Sequence, residues 1–298
     1  MTTGISAPPI GIVRVIPRSA EIAITPLLKI VEAGYEIPLV ISGQDKRRGR
    51  GSSTTPSPVK REAERLGLRI SSDINDVKSV HADIAVVVAF GKLIPRDVLE
   101  CLQVVNIHFS LLPRWRGAAP LERAILEGDR STGVCIMELE ETLDTGGIYC
   151  SMEIPIGPYE TLRELQKKCV GEGIRMLLQS LNSGFGDPVA QEGEASYAHK
   201  ISTAELEIQW GTSSEKILRL IRIGRAWTTI GGSRLRVHSA VIGDRKDLNP
   251  GQRNGVLVGS GDGEIELLTV QPEGKKIMSA GDWVNGLQGK ALGPLGHG

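Results

Sequence analysis

Asp83-Ile84-Ala85-Val86-Val87-Val88-Ala89 is an apolar run with a single charge at its start. A strand wetted on one face alternates polar and apolar residues. An unbroken run of this kind needs cover on both faces, as in a parallel sheet flanked by helices. Its neighbours fit that reading. Before it, Ile10–Ile16 and Glu36–Ile41 read as strands and Ala20–Ala33 as a helix stopped by Gly34, with Pro26 as a kink or restart. A further helix runs from Ser57-Pro58 through Leu66, with Ser as cap, Pro in the first turn and Gly67 as stop. After it come a short helix Pro95–Leu102, a strand Val104–Phe109, a helix Ala118–Leu126, strands Gly133–Leu139 and Ile148–Ile154, and a long amphipathic helix Thr161–Leu181. The alternation predicts an α/β, Rossmann-like domain with a mostly parallel sheet. No G-x-G-x-x-G follows the first strand, so a dinucleotide is not implied.

The composition shifts near Asn182. A polar, Gly-rich stretch reads as a linker. Beyond it stand one clear helix, Ser214–Ile223, and short β-like runs at Arg234–Val237, Gly255–Val258 and Glu264–Thr269, which suggest a small, OB-like β-barrel. The expected division is a catalytic domain over 1–183, a linker over 184–204 and a C-terminal barrel over 205–298.

The 298 residues carry 35 basic and 35 acidic side chains, so global charge argues for no nucleic-acid partner. A local patch is another matter. Lys216, Arg219, Arg222, Arg225, Arg234 and Arg236 face one acid, Glu215, between 211 and 240. Arg219 and Arg222, three apart on a helix, share a face suited to phosphate contacts. Lys46, Arg47, Arg48 and Arg50 form a second basic run between glycines. Cys101, Cys135, Cys150 and Cys169 make no C-x-x-C pair, which favours free thiols in a reducing compartment over disulfides or zinc. Neither a secretory signal nor a membrane-spanning apolar stretch is read, and the expected location is the cytoplasm.

The chemistry centres on Asn106-Ile107-His108-Phe109-Ser110-Leu111-Leu112-Pro113. On a strand, Asn106 and His108 point to one face, at the carboxyl end where open α/β sheets bind ligands. Asp144 precedes Thr145-Gly146-Gly147, a tight turn able to bring a carboxylate to another strand's end. Asn, His and Asp suit acyl transfer to an amine: Asn and His stabilise an oxyanion, and Asp orients the His. By itself, an Asn-x-His pair is more often structural, and Asp144 more often a turn former.

The segment from Asn106 to Pro113, then Arg116-Gly117-Ala118-Ala119-Pro120 and Leu143-Asp144-Thr145-Gly146-Gly147, resembles the signature of the formyltransferases that use 10-formyltetrahydrofolate. Three further segments resemble the branch acting on methionyl-tRNA: Gln44–Gly51 with Pro56–Lys60, Tyr197–Ser202 with Ile208-Gln209-Trp210, and Gly274–Ser279. The resemblance implies formyl transfer from the folate to the amino group of methionine on initiator methionyl-tRNA. It assigns catalysis to Asn106, His108 and Asp144, the folate site to Ser110, Leu111, Leu112 and Pro113, and tRNA contact to the loop around Arg50. A monomer without a metal is expected. Three departures stand out: Val15-Ile16-Pro17-Arg18-Ser19 in place of a Gly-Thr-Pro turn, Arg47-Arg48 in place of Pro-Ala, and Gly147 in place of a second acid. The competing readings are a formyltransferase for an amino sugar or glycinamide ribonucleotide, a formyltetrahydrofolate hydrolase, and an inactive RNA-binding protein.

Overall fold

A computed structural model of the 298-residue chain describes residues 10–14, 20–43, 46–47, 54–88, 94–244, 246–287 and 293–296. The turn Pro17-Arg18-Ser19 and the loop residues Arg48 and Arg50 lie outside them. Two compact units emerge: 1–120, 131–155 and 166–199 in one, and 121–130, 156–165 and 200–298 in the other.

The first unit is built on a five-stranded sheet: β1 (Ile10–Arg14), β2 (Ile84–Val88), β3 (Gln103–His108), β5 (Ser131–Glu138) and β6 (Ile148–Pro155), in that spatial order. The label β4 belongs to a two-residue strand, Arg116–Gly117, outside the sheet. The ladders β1–β2 and β2–β3 are parallel, and those on either side of β5 are antiparallel. Four of the five strands therefore run the same way. The apolar run behaves as its composition demands: Ala85 to Val88 are all buried, and so is every residue from Val104 to His108. Leu39, Ile41, Val77, Ala85, Val87, Val98 and Val104 pack into one core cluster. Each fully buried Val or Leu contributes about 1.5–3 kcal/mol relative to exposure.

Helix α1 (Ala20–Glu32) continues through Pro26 rather than restarting there. Helix α2 (Pro58–Arg65) starts as its sequence directs, with the Lys60 N–H donating to the Ser57 hydroxyl at 3.0 Å. The expected strand Glu36–Ile41 shrinks to Val40–Ile41, paired with Ile70–Ser71. Helices α3 (Arg96–Leu99), α4 (Pro120–Glu127) and α5 (Leu162–Ser183) follow the predicted order.

Backbone pairing reaches into the stretch read as a linker at 189 and again at 197–198. Val189 bridges Ile148 through two backbone hydrogen bonds of 2.8 and 2.9 Å, and β7 (Tyr197–Ala198) pairs in parallel with β4. Residues up to 199 belong to the first unit for that reason.

The second unit centres on an antiparallel sheet with the order β8 (Trp227–Ile230), β9 (Ser233–Gly243), β12 (Glu264–Pro272), β11 (Leu257–Gly259), β10 (Arg253–Asn254); β13 (Met278–Ser279) adds to β12. Register shifts around Ser239 bend β9 against β12. Among the described residues the two outer strands do not pair with each other, so the expected barrel takes the form of a curled half-barrel. Its core holds Trp210, Leu235, Val237, Ile265, Leu267 and Val270, together with Ile217 and Ile221 from α6 (Ser214–Arg222) and Trp283 from α7 (Ala280–Gly286).

Candidate active site

Strand β3 delivers Asn106 and His108 to one face, as the two-residue period requires. Cross-strand neighbours fix the register: Asn106 lies between Val87 and Met137, and His108 opposite Cys135. Asn106, His108 and Asp144 are 7, 5 and 7 % exposed, so all three polar groups sit where an unmatched charge is costly.

The His108 ring is held from both edges. Its Nε2 lies 3.0 Å from the Trp115 carbonyl oxygen. A carbonyl only accepts, so Nε2 carries a hydrogen and donates it there. On the other edge, Asp144 Oδ2 is 3.7 Å from Nδ1, too long for a hydrogen bond but well within electrostatic reach. The same Oδ2 accepts from the Gly117 N–H at 2.7 Å. Segment 115–117 thus supports His108 through a carbonyl and Asp144 through an amide.

Trp115 (φ 63°) and Asp144 (φ 52°) are the two non-glycine residues with left-handed backbone among the described residues. They are also the two that flank the His108 ring. A side-chain-bearing residue in this region costs about 1–3 kcal/mol and persists only where its surroundings over-determine it. Around Asp144 the determinants are visible. A Cβ at Gly146 would meet the Glu138 carbonyl oxygen at 2.1 Å, so only glycine lets the acidic loop lie this close to β5. Gln191 Nε2 donates to both the Asp144 and the Gly146 carbonyls, at 2.9 and 2.8 Å. Gln191 and Ser196, whose hydroxyl accepts from the Trp115 N–H at 2.9 Å, were not singled out from sequence. Both sit in the polar stretch read as a linker, where composition carries no sign of what the backbone pairs with.

The segment Ser110–Pro113 turns largely inward. Ser110 is fully buried, its hydroxyl donating to the Arg114 carbonyl at 2.6 Å. Leu112 packs with Cys135, Met137 and Ile148. The Cys135 thiol is pushed up to about 11, chiefly by burial, and stays protonated to donate to the Ser110 carbonyl at 3.1 Å. A ligand can therefore meet the backbone of this segment and the half-buried Leu111 and Pro113, not the side chains of Ser110 and Leu112.

The basic residues singled out from sequence differ in what they already hold. Arg222 donates to the Glu160 and Gly157 carbonyls at 2.8 and 2.9 Å, and burial lowers its pKa. Arg219 pairs with Glu215 and donates to the Glu127 carbonyl at 3.3 Å. Each guanidinium engages two of its nitrogens within the second unit, out of five N–H donors in all. Lys216, Arg225, Arg234 and Arg236 are exposed. Trp227 is half-buried, with Arg234 stacked 3.9 Å over its ring. Lys46 and Arg47 form a small antiparallel ladder with Thr54–Thr55.

Residues 23–181 match the model of the formyl transferase family, and residues 200–288 match that of the formyl transferase C-terminal domain. A methionyl-tRNA formyltransferase of Corynebacterium glutamicum is 38% identical over 90% of this chain and 95% of its own length. Among solved structures, a methionyl-tRNA formyltransferase from Clostridium thermocellum superposes with a TM-score of 0.60 at 18% identity, over 91% of this chain and 99% of that one. An N-formyltransferase from Helicobacter canadensis, solved with folinic acid and dTDP-3-aminofucose, gives 0.68 at 17% identity, over 89% and 99%. The last two likenesses carry the fold.

Proposed function

The chain belongs to the formyl transferase family, and from that premise we propose that it transfers the formyl group of 10-formyltetrahydrofolate to the amino group of methionine on initiator methionyl-tRNA. The observation that carries the chemistry is the meeting of His108 with Asp144 beside Asn106, three buried polar groups gathered at the end of β3. The amine attacks the formyl carbon, forming a new C–N bond and a tetrahedral oxyanion. The Asn106 carboxamide donates to that charge, and the His108 ring, whose Nε2–H the Trp115 carbonyl holds, stabilises it through positive charge rather than through a direct hydrogen bond. Asp144 balances positive charge on His108 and takes part in removing the amine's proton. Collapse breaks the C–N bond to the folate nitrogen, which leaves with the electron pair and takes up a proton in place of the one the amine gave up. The backbone of Ser110–Pro113, with Leu111 and Pro113, lines the folate side.

The acceptor is held by the loop containing Lys46, Arg47, Arg48 and Arg50 and by the exposed Lys216, Arg225, Arg234 and Arg236. Residues 1–183 carry the chemistry and 205–298 hold the tRNA; the connecting 184–204 also lends Gln191 and Ser196 to the site. The working form is a monomer in the cytoplasm, where initiator tRNA is charged. Among the described residues no helix is long and apolar enough to cross a membrane.

The test offers labelled 10-formyltetrahydrofolate with either initiator methionyl-tRNA or a nucleotide-linked amino sugar. Label should enter the tRNA and not the sugar. Label on the sugar alone would replace this reading with the sugar-modifying one, and free formate without either product would replace it with hydrolysis.

A further inference from the structure

We infer that Gln191 is a positioning residue for the formyl-transfer site, clamping the Asp144 loop to the segment that holds His108. The inference rests on the functional reading above and extends it to a side chain 47 positions from Asp144 in sequence.

A carboxamide offers two N–H donors and one oxygen with two lone pairs. Gln191 uses all four. Its Nε2 donates to the carbonyls of Asp144 and Gly146, at 2.9 and 2.8 Å. Its Oε1 accepts from Arg116 Nε and Nη2, at 3.1 and 2.7 Å. Arg116 stands between Trp115, whose carbonyl receives the His108 proton, and Gly117, whose amide holds the Asp144 carboxylate. One side chain thereby ties the acidic loop to both residues that set the His108–Asp144 spacing. The arrangement also accounts for the left-handed Asp144 backbone (φ 52°). Two carbonyls pinned on either side of the turn leave the loop no cheap way to relax, and the carboxylate stays aimed at His108.

Gln191 is itself anchored by chain continuity. Val189 bridges Ile148, and β7 pairs with β4 a few residues later. Among the described residues, none of its bonds goes to a group outside this cluster.

The test uses the full chain with Gln191→Met, which keeps volume and removes every donor and acceptor. Displacement of a reacting group by about 1 Å lowers turnover by about 100-fold. The expected result is therefore a kcat lowered about 10- to 100-fold, with KM for folate and for tRNA changed by no more than about twofold. In an Asp144→Asn background, under single-turnover conditions, Gln191→Met should change the rate by less than about threefold, because both act through one carboxylate. Fully additive losses, or a Gln191→Met kcat close to that of the unaltered chain, would overturn the inference. Gln191→Glu keeps the bond to Arg116 and loses both donors, and should fall with Gln191→Met; retention of kcat there would also overturn it, and it serves if the Met variant does not fold. Hydrogen exchange of the Gly117 amide reads the Asp144 bond without any substrate. It should speed up in both variants, and unchanged exchange would count against the clamp. If the unaltered chain did not formylate tRNA, the functional reading would fall while this exchange still decided the clamp.

Discussion

Replacing Asp144 by Asn separates its charge from its shape. The carboxylate oxygen stands 3.7 Å from His108 Nδ1, and both side chains are less than 10 % exposed. At an effective dielectric of about 20, unit charges at that separation attract by about 4 kcal/mol. If the transition state places a full positive charge on His108, losing that attraction slows transfer by at most about three powers of ten, at 1.36 kcal/mol per decade. The Asn carboxamide oxygen can still accept from the Gly117 N–H, now 2.7 Å from Oδ2. Asn also tolerates the left-handed backbone at φ 52°. Stability should then fall by only about 1 kcal/mol. Asp144→Ala differs on both counts. It loses a hydrogen bond to a charged group, worth about 1.5–3 kcal/mol, and it places a β-carbon without a local hydrogen-bond partner in the left-handed region, at about 1–2 kcal/mol. Single-turnover formyl transfer and urea unfolding of the three proteins give the comparison. Asn should be slowed by up to about a thousandfold but stable, and Ala slowed at least as much and destabilised. An Asn variant retaining more than about a third of the native rate would show that charge at this position contributes under 1 kcal/mol, and would refute the electrostatic role.

Gly146→Ala should disable catalysis about as severely as Asp144→Ala, because its β-carbon would lie 2.1 Å from the Glu138 carbonyl and push the acidic loop off β5; transfer rate and melting temperature would both drop. Alkylation at pH 8 should label the exposed Cys101 in the native chain and spare Cys135 and Cys169 until denaturant is added, since Cys135 is buried and its pKa is near 11; peptide mass mapping reads this. The Arg123 hydrogen bond holds Glu205 down at about 2. A lowered acid adds stability above its unfolded pKa and loses it as pH falls through the folded one, so the contribution of Glu205 should fade between about pH 5 and pH 2. With its side chain 41% exposed the effect is screened to about 1 kcal/mol or less, and Glu205→Gln should flatten that part of the stability–pH curve. If Lys216, Arg225, Arg234 and Arg236 each neutralise a phosphate, removing all four should reduce the steepness of log K against log salt by about 3, whereas removing Arg219 and Arg222 should change unfolding more than the salt slope.

How far the sequence reached depends on what each residue's contacts are local to. The run Ile84–Val88 declared its own burial, because a strand with no polar face has one environment open to it. The pairing of Asn106 with His108 followed from the strand period alone. Residues 36–39 read as strand because Ile37 and Leu39 are buried, yet only Val40–Ile41 finds a ladder partner; apolar spacing reports burial, not hydrogen bonding. Gln191 was illegible for the opposite reason. Its neighbours are polar, and the groups it binds are fixed by folding 45 and 47 positions away. Arg219 and Arg222 carried a basic signal whose use depended on carbonyls at 127, 157 and 160, which no charge count contains. The short strand Trp227–Ile230 exists because Ser233–Gly243 offers it an edge, and four residues hold too little periodicity to announce it.

The purified chain is mixed with 10-formyltetrahydrofolate and initiator tRNA charged with methionine, and the aminoacyl ester is recovered and weighed by mass spectrometry. The expected result is that methionine gains one formyl group, and that His108→Ala, which removes the ring held between Trp115 and Asp144, abolishes the gain. Unmodified methionine beside released formate, or full formylation by the His108→Ala variant, would contradict it.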